Sequence, residues 1–217
     1  MAMRLHSDEH RDVRRYWDAR PCNIRHSDAP TDTLQYSQEV TARKFKVEPH
    51  IPAWSDFPAW RGKRVLDVGC GIGTMALEFA RHGAAVTAVD LSPASLHVAQ
   101  QRAVAEGLTV DFFLDNAEDL RGVDGTFDLI YSFGVLHHTP AGLNALAGLR
   151  RHAHALTRLK LMVYHRHSYK VAWIWARSGF DTAALDTNIA RYSEAQTGCP
   201  ITYTYTPDEI RHTLAEA

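Results

Sequence analysis

"VLDVGCGIGT", residues 65–74, decides the fold. It overlaps a short apolar run with β-branched members, RVLDV at 64–68, and Gly69, Gly71 and Gly73 follow at once. Glycine enters left-handed backbone without steric cost and lets a chain approach a neighbour or a ligand closely, so the stretch reads as a strand running into a tight turn. TMALEFARH, 74–82, then repeats apolar residues at helical spacing until Gly83 supplies a stop. Strand, glycine turn and helix form the first unit of an α/β sheet, and such a turn aims backbone N–H groups and the positive helix end at a ligand. A dinucleotide fingerprint is G-x-G-x-x-G, whereas this one is G-x-G-x-G, with the third glycine one residue early. That spacing disfavours a pyrophosphate and suits a ligand whose amino-acid moiety crosses the loop.

Outward from this unit the pattern repeats. AVTAV, 85–89, is a second strand, and Ser92 with Pro93 gives an N-cap and first-turn proline for a helix running to about Gly107. TVDFFL (109–114), FDLIYSF (127–133) and LKLMVYH (159–165) are three further strands, with helical patterns in the connections around 141–154. Alternating strands and helices predict a parallel sheet with right-handed crossovers and helices on both faces, a three-layer α/β sandwich. Residues 1–60 form an N-terminal helical cap, 61–168 the ligand-binding core, and 169–217 a second helical cap whose last helix starts at Pro207, all within one compact domain.

The 217 residues are 45% apolar and 23% charged, the composition of an ordinary globular chain, and no run approaches the ~18 apolar residues that a membrane helix needs. Lys and Arg number 24 against 25 Asp and Glu, so no global field attracts nucleic acid or an anionic membrane. Arg11, Arg14, Arg15, Arg20 and Arg25 make only the N-terminus locally basic. That terminus lacks the apolar stretch of a signal peptide, and Cys22, Cys70 and Cys199 are too few and too scattered for a disulfide framework. The expectation is a cytoplasmic protein with neither a membrane nor a nucleic acid as partner.

Four motifs in order resemble those of the class I S-adenosylmethionine-dependent methyltransferases. VLDVGCGIGT is similar to the first, with Asp67 as its acidic residue. Asp90, 21 residues after Gly69, stands with Leu91 where the family places the acid that binds both ribose hydroxyls. FFLDNAEDL resembles the third, which implies adenine contacts from the Asn116 side chain and the Ala117 backbone, with Asn where Asp is commoner. FDLIYSFGVLHH resembles the fourth, with Phe133 and Gly134 beneath the methionine part and His137 and His138 leading toward the substrate. The resemblance covers about residues 60–165 and implies the Rossmann-like fold, strand order 3-2-1-4-5, S-adenosyl-L-methionine as cofactor and S-adenosyl-L-homocysteine as product. Two departures stand out. RRHAHALTRLKLM replaces the usual KPGG turn before the fifth strand, and the chain has little left where the family's C-terminal antiparallel hairpin would begin. A missing hairpin leaves an exposed sheet edge, so a homodimer or domain-swapped edge is expected.

Candidate catalytic residues are His138 and His137, placed to act as a base or to cap the next helix. Tyr16 and Trp17, where the family often carries a lid helix, with Tyr164, Arg20 and Arg166, are candidates for the substrate site. The H-x-H pairs His152/His154 and His165/His167 lack Cys or carboxylate partners at metal-site spacing, so no metal is expected. The reading is methyl transfer to a small-molecule acceptor, with oxygen, nitrogen or carbon as nucleophile. A catalytically silent cofactor-binding protein and a nicotinamide-dependent dehydrogenase stay as the alternatives.

Overall fold

The computed structural model describes residues 8–196 and 199–216. Its centre is a parallel sheet of five strands, β1 (Arg64–Val68), β2 (Ala85–Asp90), β3 (Asp111–Leu114), β4 (Phe127–Phe133) and β5 (Ala153–Met162), in the order β3-β2-β1-β4-β5. Val65 pairs with Val86 on one side and with Leu129 on the other, so β1 is central, and its four last residues are all buried. Strands covered on both faces read as continuous apolar runs, which is why RVLDV and FDLIYSF were legible.

The helices in chain order are α1 (Asp8–Ala19), α2 (Leu34–Val47), α3 (Ile51–Ser55), α4 (Thr74–Arg81), α5 (Pro93–Glu106), α6 (Leu146–Leu149), α7 (Tyr169–Arg177), α8 (Leu185–Gln196) and α9 (Pro207–Glu216). One face of the sheet is covered by α4 together with the 51–60 segment, where Ile51, Phe57, Trp60 and Phe79 pack against Val65, Val86 and Leu129. The other face is covered by residues 117–149, with Leu120, Leu136 and Leu149 against Leu66 and Ile130. α5 begins on the Ser92 hydroxyl, which accepts the Ser95 N–H, and ends at Gly107 in left-handed conformation, as its sequence dictates.

β5 departs from expectation. It begins at Ala153, inside the stretch expected to be helical, and ends at Met162. Phe127 pairs with Ala153 and Leu129 with Arg158, so β5 spends three more residues than β4 between those two rungs. Thr157 makes this bulge possible: its hydroxyl donates to the Phe127 carbonyl at 2.6 Å and accepts the His154 N–H at 2.7 Å. The short helices at 142–152 take the place of the missing KPGG turn.

Among the described residues no antiparallel hairpin follows β5. The chain passes through α7 and α8 and returns as an extended segment in which Tyr205 N–H donates to the Tyr164 carbonyl at 2.8 Å and Arg166 N–H to the Tyr205 carbonyl at 2.9 Å. This His165–Tyr205 bridge is parallel and lies beyond the end of β5, which leaves β5 as the sheet edge with Leu156 exposed.

Candidate active site

The turn after β1 is left-handed at Gly69 (φ 76°), Gly71 (φ 56°) and Gly73 (φ 82°), a region that side chains enter only under strain. Each glycine also answers a different neighbour. A Cβ on Gly69 would run into the Val135 side chain, and one on Gly73 would stand 3.0 Å from the Ala99 Cβ of α5. At Gly71 nothing lies within 4 Å. Gly69 and Gly71 line a cavity of about 490 Å³ at the C-terminal ends of the strands, whereas Gly73 serves helix packing outside it.

The amides of the turn are already engaged. Gly69 and Cys70 N–H both donate to the Val89 carbonyl, at 2.7 and 2.9 Å, and Gly73 N–H to the Cys70 carbonyl at 2.9 Å. Gly71 N–H donates to Asp90 Oδ2 at 2.7 Å, and Ser92 N–H to Asp90 Oδ1 at 2.8 Å. For these four N–H groups of the turn the expectation that they point at a ligand is corrected: three fasten the turn to the end of β2 and the fourth closes the turn on itself, and the open space over Gly71 is what the turn offers.

Two buried carboxylates flank that space. Asp67, 2% exposed, accepts the Ala76 N–H in the first turn of α4 through one oxygen, while its Oδ2 has no hydrogen-bond partner. Burial first, and the nearby Asp90 second, push its pKa up to about 7. Burial also raises the pKa of Asp90, against the pull of its backbone hydrogen bonds. A pyrophosphate here would meet two acids, engaged amides and a helix end already answered by Asp67. A ligand carrying positive charge would relieve the repulsion. At the end of β3, Asp115 accepts Asn116 N–H and Gly122 N–H, both at 2.7 Å, and Asn116 Oδ1 accepts Glu118 N–H at 2.9 Å. Leu91, Asn116 and Ala117 line the same cavity.

α1 closes the cavity from above. Asp18 Oδ1 accepts the Ser92 hydroxyl at 2.7 Å and the Ala94 N–H at 3.1 Å, and His10 Nε2 meets Glu118 Oε2 at 2.9 Å. The helix is thus pinned to the start of α5 and to the loop after β3, with His10, Val13 and Trp17 facing inward.

The far end is built from β4, β5 and the two caps. Trp17 meets the His138 ring edge-on at 5.3 Å. His138 Nδ1–H donates to the Ile201 carbonyl at 2.8 Å, and its Nε2 lies 3.4 Å from Glu194 Oε1, which also accepts the Tyr164 hydroxyl at 2.7 Å. Burial alone would lower the His138 pKa, but hydrogen bonds with Cys199 and Glu194 outweigh it and push it up to about 9. Burial would raise that of Glu194, yet His138 and Tyr164 bring it down to about 2. Both His138 nitrogens are thus engaged and their partners favour the protonated ring, which leaves no free base at that position. Phe133, Tyr164 and Met162 complete this wall.

Other candidates fall outside. His137 does not line the cavity: it is fully buried, neither ring nitrogen has a partner, and its ring lies on that of Tyr164 at 3.9 Å. Burial, then the neighbouring His138, hold its pKa well below the ordinary value. Tyr16 packs edge-on against Trp17 at 5.0 Å, Arg20 is exposed, and Arg166 reaches Asp186 and the Thr204 hydroxyl, so these three do not border the cavity either. Lys44 of α2 and Glu48 at its C-terminal cap, paired at 2.8 Å, line it together with His50 and Glu194. Among the described residues no three His, Cys, Asp or Glu side chains are grouped to hold a metal ion, and no helix is long and apolar enough to cross a membrane.

Comparison with known proteins agrees with this geometry. Residues 65–155 match the family described as Methyltransferase domain. A ubiquinone biosynthesis O-methyltransferase of Methylocella silvestris is 38% identical over 106 residues, which cover 48% of this chain and 41% of that protein. The chain thus spans less than half the length of that curated relative. Magnesium protoporphyrin IX methyltransferase from Synechocystis PCC 6803, solved with bound SAH, superposes with a TM-score of 0.63 at 20% identity, covering 94% of this chain and 86% of that one. A structure described under conversion of a disulfide bond into a thioacetal group during echinomycin biosynthesis superposes with a TM-score of 0.55 at 27% identity, covering 76% and 66%.

Proposed function

We propose that the chain carries the core of a class I S-adenosylmethionine-dependent methyltransferase and transfers a methyl group to a small-molecule acceptor bound at the far end of the cavity. The observation that carries this reading is the pair of buried acids beside the engaged amides of the glycine turn. Asp67 with its unpartnered oxygen suits a cationic ligand over the turn and disfavours a pyrophosphate there, while Asp90 suits a ribose. The residues present fit the cofactor: Gly71 leaves room beside Asp90, and Asn116 and Ala117 stand at the next strand end.

S-adenosylmethionine, when bound, supplies a methyl group on a positively charged sulfur. The chain's own part is to hold, orient and keep dry. Asp90 would hold the ribose hydroxyls with the lone pairs that Gly71 and Ser92 leave open, and Asp67 would hold the ammonium group. Phe133 and Met162 form the apolar floor, and α1 with Trp17 excludes water. An acceptor O–H or N–H donates to Glu194, whose charge His138 balances, so the nucleophile is aligned in a pocket where alignment and desolvation carry most of the rate. Trp17, Tyr164 and Glu194 are the acceptor contacts in this account; His137, Tyr16, Arg20 and Arg166 are not.

The compartment consistent with three unpaired cysteines is the cytoplasm. The near-even charge balance speaks for a metabolite over a nucleic acid, and the exposed Leu156 and Leu159 on β5 favour a homodimer through that edge. Incubation with methyl-labelled S-adenosylmethionine and a panel of small hydroxylated and aminated aromatics tests the activity. Labelled product with one class of acceptor supports it; no transfer to any of them, despite cofactor binding, favours the silent-binder alternative.

A further inference from the structure

Arg102 lies in the middle of α5, fully buried, and no residue of the cavity wall is its neighbour in sequence. A guanidinium has five N–H donors. Here all five are satisfied without a carboxylate. Nε donates to Ser37 Oγ at 2.9 Å; Nη1 donates to the Ile72 carbonyl at 2.7 Å and to Thr74 Oγ1 at 2.9 Å; Nη2 donates to the Ser37 carbonyl at 3.2 Å and to Thr41 Oγ1 at 2.9 Å. The Ser37 hydroxyl passes the charge on by donating to Glu106, one turn further along α5.

The two ends of this fork belong to different parts of the site. Ile72 and Thr74 are in the glycine turn and the first turn of α4, and both line the cavity beside Gly71. Ser37 and Thr41 are on α2, the helix that carries Lys44 to the far end of the same cavity. Resting on the cofactor reading above, we propose that Arg102 is a positioning residue: it clamps the cofactor loop to α2, so that the loop's geometry and the acceptor wall are set together. A planar fork fixes both partners in direction as well as distance, which a lysine ammonium does not.

Thr41 gives the cleanest test, because it does not line the cavity and its hydroxyl accepts from Arg102. Titrate S-adenosylhomocysteine into the wild type, Thr41→Val, Thr41→Ser and Arg102→Lys, and record the melting temperature of each. The clamp predicts that Thr41→Val weakens binding by about threefold to tenfold, that Thr41→Ser, which keeps the hydroxyl acceptor, restores it, and that Arg102→Lys weakens it by about tenfold or more. A purely structural role predicts a lower melting temperature with affinity within about twofold of wild type in the folded variants, and that result overturns the clamp. If Arg102→Lys does not fold, the Thr41 pair decides alone. No binding to the wild type would instead overturn the cofactor reading on which the proposal rests.

Discussion

Asp90 Oδ2 accepts the Gly71 N–H at 2.7 Å, so the acid at the end of β2 builds the glycine turn as well as facing the cavity. With the Gly69 and Cys70 amides held by Val89, the turn has its shape before any ligand arrives. Preformed geometry of this kind reduces the ordering cost of binding.

Gly69→Ala tests whether the turn tolerates a side chain. The substitution puts Cβ into the Val135 side chain and forces a non-glycine residue to φ 76°. Strain and overpacking together are expected to cost about 2 kcal/mol or more, read as a lower urea midpoint. Adding Val135→Ala relieves the clash and leaves the backbone strain, so the double variant recovers part of the loss. A single variant as stable as wild type would show that the packing against Val135 is wrong.

Glu194→Gln tests the His138 pair. His138 titrates near 9 in the fold against an ordinary 6.5, so its contribution to stability is fully present below 6.5 and is lost as pH rises through about 9. Glu194 titrates near 2 against 4.5, so its contribution is present above 4.5 and is lost as pH falls toward 2. Both losses should shrink in Glu194→Gln, and the His138 imidazole, followed by nuclear magnetic resonance, should titrate at least about one unit lower than in wild type. An unchanged titration would separate the two residues.

His137→Phe addresses the imidazole behind Tyr164. The ring is fully buried with both nitrogens unpartnered, and such groups carry a desolvation cost of about 1–3 kcal/mol. Phenylalanine keeps the ring against Tyr164 and removes that cost. The variant is expected to be at least as stable as wild type and to bind S-adenosylhomocysteine within about twofold of it. A loss of affinity of tenfold would return His137 to the site.

The sheet order and the glycine turn were legible in the sequence because each depends on local signals: apolar runs in β1 and β4, the Ser92 and Gly107 caps of α5, and glycines at the left-handed positions 69, 71 and 73. β5 was misread because the Thr157 bulge arises from a hydrogen bond to Phe127, thirty residues away, which no periodicity records. The acceptor end was harder still. Lys44 and Glu48 have the spacing of an ordinary solvent-exposed helix pair, and Glu194 sits in a polar helix whose sequence gives no sign that it meets Tyr164 and His138. His137 and His138 look alike in sequence and are both buried; what separates them is hydrogen bonding, since His138 meets Ile201 and Glu194 while neither His137 nitrogen has a partner.

The cavity over Gly71, beside Asp90, is the proposed seat of the adenosyl cofactor. Calorimetric titration of S-adenosylhomocysteine into wild type and Asp90→Ala tests it most directly. The account predicts saturable one-to-one binding to wild type, weakened in Asp90→Ala by about 1.5–3 kcal/mol, the range for hydrogen bonds to a charged group. Binding of equal strength to both proteins, or to neither, would contradict it.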